Sequence, residues 1–167
     1  MAGLPILQWP EPRLSQRCAP VMPGEDLAAL IAQMFDTMYD APGRGLAAPQ
    51  VGVMKRFFVM DVTWKDGDRS PQVMINPEVL ERSDETTLGD EGCLSIPGVL
   101  VAVERPVRVR MQWTDAGGNP HDAWLDGFAA RCAQHELDHL DGIVTLDRLA
   151  PEDRAAALRH YRGGAFA

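Results

Sequence analysis

Near the start of the chain, Leu27, Leu30, Ile31, Met34 and Met38 fall on one face of residues 26–38 at helical spacing. Pro23, Gly24 and the acids Glu25 and Asp26 stand at the head of this run and Pro42 lies beyond its end, so the segment predicts an amphipathic helix. The period then changes. Residues 56–62, 72–76, 79–80, 99–103 and 107–111 are short apolar or alternating runs punctuated by Gly, Asp and Pro, which predict strands, and residues 115–119 predict a hairpin turn. Helical spacing returns over residues 126–140, with Phe128, Cys132, His135 and His139 along one side and Gly142 just past the end. A last helix is predicted over residues 151–161, with Pro151 first and Glu152 and Asp153 in its opening turn. Strands bracketed by helices, rather than alternating with them, imply an α+β fold. Mainly antiparallel strands would pack around a central helix, with an N-terminal and a short C-terminal helix beside them.

The chain has 167 residues and a mass of 18.3 kDa, and it shows no repeat or linker. A single domain over residues 1–167 is expected, burying roughly 70% of the unfolded surface. Its 46% hydrophobic and 24% charged residues are those of an ordinary globular protein. A net charge of −8 argues against a phosphate-binding surface, and no direct nucleic-acid partner is expected. No apolar run approaches the ~20 residues of a membrane span, and Pro5, Pro10 and Pro12 interrupt the opening segment. The expectation is a cytoplasmic protein without membrane contact. Cys18, Cys93 and Cys132 are odd in number and widely spaced, as free thiols in a reducing compartment would be.

The chemistry concentrates in His135-Glu136-Leu137-Asp138-His139. On a helix, two imidazoles four residues apart project from one face and can bind one metal ion, with Glu136 beside it. Two imidazoles do not complete a site. Thr145 falls where an extended helix-turn pattern would place a third ligand, a role it fills poorly, and Glu152 belongs to another predicted helix. Cys93, in Glu91-Gly92-Cys93-Leu94-Ser95, is the remaining soft ligand with suitable surroundings. One Cys and two His leave a fourth position open, the pattern of a catalytic rather than a structural site.

Gly43-Arg44-Gly45-Leu46-Ala47-Ala48-Pro49-Gln50, Glu91-Gly92-Cys93-Leu94-Ser95 and Gln134-His135-Glu136-Leu137-Asp138-His139 resemble the three signature motifs of peptide deformylases, in order and at the family's separations. The resemblance implies a metal-dependent amidase that removes the formyl group from N-formylmethionyl nascent peptides. It makes Cys93, His135 and His139 the metal ligands and Glu136 the general base and acid. It further implies that the Gln50 side chain and the Leu94 backbone N–H form the oxyanion hole. One divalent ion is implied, with Fe²⁺ as the native metal, while Zn²⁺, Ni²⁺ or Co²⁺ would also suit two imidazoles and a thiolate. Nascent formyl peptides and a transient ribosome contact are the implied partners. The chemistry makes the same demands independently: a nucleophile at neutral pH, a proton acceptor and fixed donors for the tetrahedral oxyanion.

Gly45 and Gly92 are read as exposing backbone to an extended peptide that lies along the cleft like an added strand. Arg44 stands where the family carries an apolar residue, and Arg131, one turn before His135, falls near the expected place of the methionine side chain. Two guanidinium groups there would narrow an apolar pocket, shift it towards polar side chains or reach solvent. An unpaired buried guanidinium is too costly, so Arg44 is expected at the cleft rim. Cys132 is expected as a pocket or core thiol and Cys18 as structural, with His121 and His160 facing solvent and Trp9, Trp64, Trp113 and Trp124 packing. Asp138 reads equally as a partner of the metal ligands or as a solvated helix acid. Gly43, Gly45 and Ala48 match a loose dinucleotide fingerprint, but a helix precedes them and Pro49 interrupts the helix that such a fingerprint must open. Two other functions compete: a metallopeptidase built on the same helix motif, and a non-catalytic deformylase-like protein that binds metal or peptide.

Overall fold

The computed structural model describes residues 3–165, with side chains described as far as Tyr161; of the span expected as one domain, residues 1–2 and 166–167 lie outside the described part. Helix α1 (Ala28–Asp40) starts two residues later than its apolar spacing predicts. The Asp26 carboxylate accepts the Ala28 N–H at 3.0 Å and so caps the helix from outside its first turn. The helix lies against strands β1 (Gly45–Ala47) and β2 (Phe57–Met60). All four residues of β2 are buried because the strand has helices on both faces. Phe57 and Val59 pack with Ile31, Met34 and Met38 of α1, while Phe58 and Met60 pack with Ala130, Ala133 and Leu140 of helix α2 (Gly127–Leu140).

β1 and β2 form one end of a five-stranded sheet that continues through β3 (Gln72–Arg82), β6 (Arg108–Thr114) and β7 (Pro120–Asp126), with every neighbouring pair antiparallel. The two runs predicted at 72–76 and 79–80 are one strand. Pro77 cannot donate to the ladder, and the chain passes it by a register shift between Ile75 and Glu78 with Asn76 at φ 49°. The turn predicted at 115–119 joins β6 to β7, and Asp115 accepts the N–H groups of Gly117 and Asn119 at 2.9 and 3.0 Å.

Strands β4 (Thr86–Cys93) and β5 (Ile96–Pro106) form a separate hairpin. Val99, Val101 and Val103 of β5 build a second core with Leu14, Leu146 and Tyr161. Tyr161 lies in helix α3 (Pro151–Ala165), which runs on past the predicted end through Gly163 and Gly164. Glycine costs a helix about 1 kcal/mol per residue without forbidding it. At the end of α2, Gly142 takes φ 76°, and a Cβ there would lie 2.8 Å from the Ser15 carbonyl carbon. Only glycine supplies both the left-handed turn and the clearance. No helix among the described residues is long and apolar enough to cross a membrane.

Candidate active site

Helix α2 presents His135 and His139 one turn apart with ring centroids 5.1 Å from each other, and both residues are buried. The third group arrives from the end of β4, where a register shift between Gly92 and Cys93 turns the chain into the Leu94–Ser95 connection. Cys93 Sγ stands 3.3 Å from His139 Nε2, and the ligand atoms of Cys93, His135 and His139 all lie within 4.8 Å of one another. Ion–ligand bonds of about 2.0–2.3 Å in a tetrahedral set place ligand atoms roughly 3.3–3.6 Å apart. The Cys93–His139 pair already has that spacing, the whole set lies within 4.8 Å, and two imidazoles with a thiolate are a donor set that suits one transition-metal ion.

Alternation along β4 puts Glu91 on the same side as Cys93, and Glu91 is the hub of a buried polar network. His135 Nδ1 donates to Glu91 Oε1 at 2.9 Å, which turns Nε2 towards Cys93 and His139. Arg105 donates to Glu91 through Nε at 2.5 Å and Nη2 at 2.9 Å, and to Asp138 Oδ2 at 3.0 Å. Arg148 closes the network on Asp138 with bonds of 3.0 and 2.6 Å. Asp138 is thus a buried partner of the site rather than a solvated helix acid. Burial pushes the Glu91 carboxyl up, but the His135 and Arg105 hydrogen bonds outweigh it and hold the group at about 2. Burial likewise lowers His135, yet the Glu136 charge, Cys93 and Glu91 together raise it well above the usual histidine range. His139, buried and facing the His135 and Arg105 charges, is pushed well below it. The shifts are opposed because the anionic groups act on His135, whereas His139 is governed by burial and the neighbouring His135 and Arg105 charges.

Glu136 is 4% exposed, and its Oε1 has no hydrogen-bond partner among the described residues. Burial is the main reason its carboxyl rises to about 7. The close approach of Gly45 explains why the second motif glycine is needed. A Cβ there would lie 2.5 Å from Glu136 Oε2 and 2.8 Å from Cys132 Sγ. Gln50 is oriented through its carbonyl: Oε1 accepts the Ala47 N–H at 2.9 Å, so the amide nitrogen points towards the cluster. There Nε2 lies 3.0 Å from Ser95 Oγ and 3.6 Å from Cys93 Sγ. Leu94 opens the hairpin connection, and its side chain packs so closely on Gly43 that a Cβ at residue 43 would meet Leu94 Cδ1 at 2.7 Å.

These groups border a cavity of about 820 Å³ between the glycine segment, the β4–β5 hairpin and the start of α2. Arg44, Gly45, Gly92, Arg131 and Cys132 all line it. Arg131 does not project a free charge into the cavity. It donates to Glu91 Oε2 at 2.6 Å, the Val103 carbonyl at 2.9 Å and the Thr87 carbonyl at 2.9 Å, tying α2 to the hairpin. Arg44 sits at the mouth with its Cζ 5.1 Å from the Phe128 ring centroid. Outside the cluster, His121 pairs with Asp115 and stacks on Trp113, and His160 is exposed beside the Gly98 carbonyl. Cys18 is buried, Trp9 packs on Tyr161 and Trp64 on Tyr39, while Trp124 is 49% exposed with Arg108 over its ring.

Known proteins resemble the chain over most of its length. The profile of the family described as polypeptide deformylase matches residues 3–155. A peptide deformylase of Novosphingobium aromaticivorans is 41% identical, and the alignment covers 95% of each chain. The crystal structure of a peptide deformylase from Legionella pneumophila superposes with a TM-score of 0.91 at 38% identity, covering 99% of this chain and 96% of that one. A peptide deformylase from Synechococcus elongatus, solved in complex with actinonin, gives a TM-score of 0.89 at 40% identity and covers 93% of this chain and 86% of that one. With the profile spanning nearly the whole chain and the motif residues gathered around one cavity, the protein belongs to the polypeptide deformylase family, metal-dependent hydrolases of the formyl amide.

Proposed function

We propose that the chain deformylates N-formylmethionyl nascent peptides, releasing formate and a free α-amino group, with Cys93, His135 and His139 holding one divalent ion. The observation that carries this reading is the convergence of the three ligand atoms within 4.8 Å beside a buried carboxyl with an unpartnered oxygen. When bound, the ion supplies Lewis acidity and lowers the pKa of a coordinated water towards ~7. Glu136 takes a proton from the attacking water and returns it to the departing amine nitrogen. The Gln50 amide, aimed by its bond to Ala47, and the Leu94 backbone N–H donate to the oxygen that gains charge. The peptide runs extended between Gly45 and Gly92, and Cys132 borders the space for its first side chain. Fe²⁺ is the proposed native ion, and Zn²⁺, Ni²⁺ or Co²⁺ also suit the donor set. Cys18, Cys93 and Cys132 are unbridged, in keeping with a cytoplasmic location, and a nascent peptide as substrate implies a transient contact with the ribosome.

Protein purified without oxygen and loaded with Fe²⁺ is expected to release formate from a formyl-Met peptide. Activity should be lost on chelation and decay in air, while the Ni²⁺ form persists. Cleavage inside a blocked peptide without formate release would establish the metallopeptidase instead, and peptide binding without turnover the non-catalytic alternative. Gln50→Ala should lower kcat by about 10²–10³-fold, the usual loss for an oxyanion donor. A change confined to KM would make Gln50 a substrate holder with no preference for the transition state.

A further inference from the structure

We propose that Arg44 makes this enzyme favour formyl peptides that carry a carboxylate shortly after the formylated residue. The inference rests on the deformylase reading of the site and adds the substrate class that the cleft prefers.

Arg44 is placed by its neighbours on both sides. Its carbonyl accepts the Asp61 N–H at 2.8 Å, which fixes the backbone where β1 begins, and the next residue is Gly45, packed against Glu136. From there the side chain reaches across the cavity mouth to Phe128, in the first turn of α2 and 48% exposed. The other guanidinium groups around the site have acidic partners: Arg105 has Glu91 and Asp138, Arg131 has Glu91, and Arg148 has Asp138. Arg44 makes no ion pair among the described residues, and its Nε is buried without a hydrogen-bond partner. A guanidinium held against an aromatic ring has lost much of its freedom, yet its hydrogen-bonding capacity is unspent.

A second cation lies at the same end of the cavity. Lys65 lines it and also makes no ion pair among the described residues. Its turn is tied to the glycine segment because Trp64 Nε1 donates to the Gly43 carbonyl at 2.9 Å. In a chain with net charge −8, two unpaired cations on tethered neighbouring segments make a local positive end. Among the acids lining the cavity, Glu91 is committed to Arg105, Arg131 and His135, Glu136 lies deep, and Asp90 on the hairpin pairs with neither cation.

Carboxylate is the group that matches a planar guanidinium fork. Gly45 touches Glu136, so the reacting amide belongs beside Gly45, and Arg44 is one strand residue, about 3.3 Å, further out. An extended peptide therefore brings the first or second residue after the formylated one past Arg44. The carboxylate could be an Asp or Glu side chain or the end of a very short peptide.

The test compares kcat/KM of the metal-loaded full chain on formyl-Met peptides matched except for charge. Two have Glu or Gln after the methionine and amidated ends, and a third has Gln and a free terminal carboxylate. The Glu peptide should exceed its Gln isostere by about tenfold, as one charge-assisted hydrogen bond allows. Arg44→Ile should bring that ratio to about one, and Arg44→Lys should keep part of it. A gain of similar size for the terminal carboxylate would support Arg44 as the receptor and identify the peptide end as a second source. A wild-type ratio of one, or a ratio unchanged in Arg44→Ile, would overturn the proposal and leave Arg44 as packing for Phe128. Turnover of the neutral Gln peptide tests deformylation separately. If no peptide turns over, the deformylase reading fails, and equilibrium binding of the same peptides to wild type and Arg44→Ile decides the carboxylate preference. Equal affinities for the Glu and Gln peptides would then sink it.

Discussion

Glu136→Gln is expected to cut the rate of formate release by about 10²–10⁴-fold while the protein still carries one metal ion per chain. The substitution keeps the side-chain shape in a place with no room for another: the residue is 4% exposed and faces Gly45. What changes is the ability to accept and return a proton. Glu136 lies outside the three-residue ligand set, with Oε2 3.9 Å from His135 Nε2, so metal affinity has no direct reason to fall. Stability should hold or rise. A buried carboxyl with an unpartnered oxygen is an unfavourable feature of the fold, and a neutral amide removes its charge. Metal analysis, thermal unfolding and turnover of a formyl-Met peptide on the same preparation separate these effects. Near-normal turnover would make Glu136 structural, and loss of the ion would show that its charge helps to hold the metal.

Helix α2 is legible in the sequence because two signals coincide there: an apolar face of helical period and two histidines four residues apart on that face. The surroundings of those histidines are much less so. Thr86–Cys93 carries two glycines and two acids, residues depleted in strands, and is a strand because β5 supplies its hydrogen bonds. Without that strand there is no period-two argument, and Glu91 is legible only as a motif residue, not as the partner of His135 and Arg105 on the same side as Cys93. Arg105 did leave a trace. Val99, Val101, Val103 and Arg105 occupy successive inward positions of β5, and a charge at the end of an apolar series signals a buried ion pair. The fate of Arg131 could not be read in this way. Its partners are the carbonyls of Thr87 and Val103 and the carboxylate of Glu91, all brought to it by the hairpin. Cost alone would put Arg44 at the cleft rim with its donors in solvent, whereas its Nε is buried without a partner, and the ring beside its guanidinium depended on how α2 starts.

Cys93→Ala should abolish stable metal binding, because the ligand set spans two elements and Cys93 is the hairpin's only member of it. Losing a residue that merely orients a ligand costs about 10–100-fold in affinity, and losing the ligand itself should cost more. Activity should fall with occupancy. Linkage supplies a second readout: an ion that binds only the folded chain stabilises it by about 2.7 kcal/mol at 100 times its Kd. Loading should therefore raise the Tm of the wild type and leave that of Cys93→Ala nearly unmoved. Folding failure would not mimic this, since the hairpin is held by the β4–β5 ladder and by Val99, Val101 and Val103 in their own core. Cys132→Ala is the matched control. Cys132 also lines the cavity but lies outside the three-residue set, so that variant should keep its ion and its Tm response to metal. If Cys93→Ala retains full occupancy after dialysis against a weak chelator, the ion is held by other groups, and the assignment of the thiolate as third ligand falls with it.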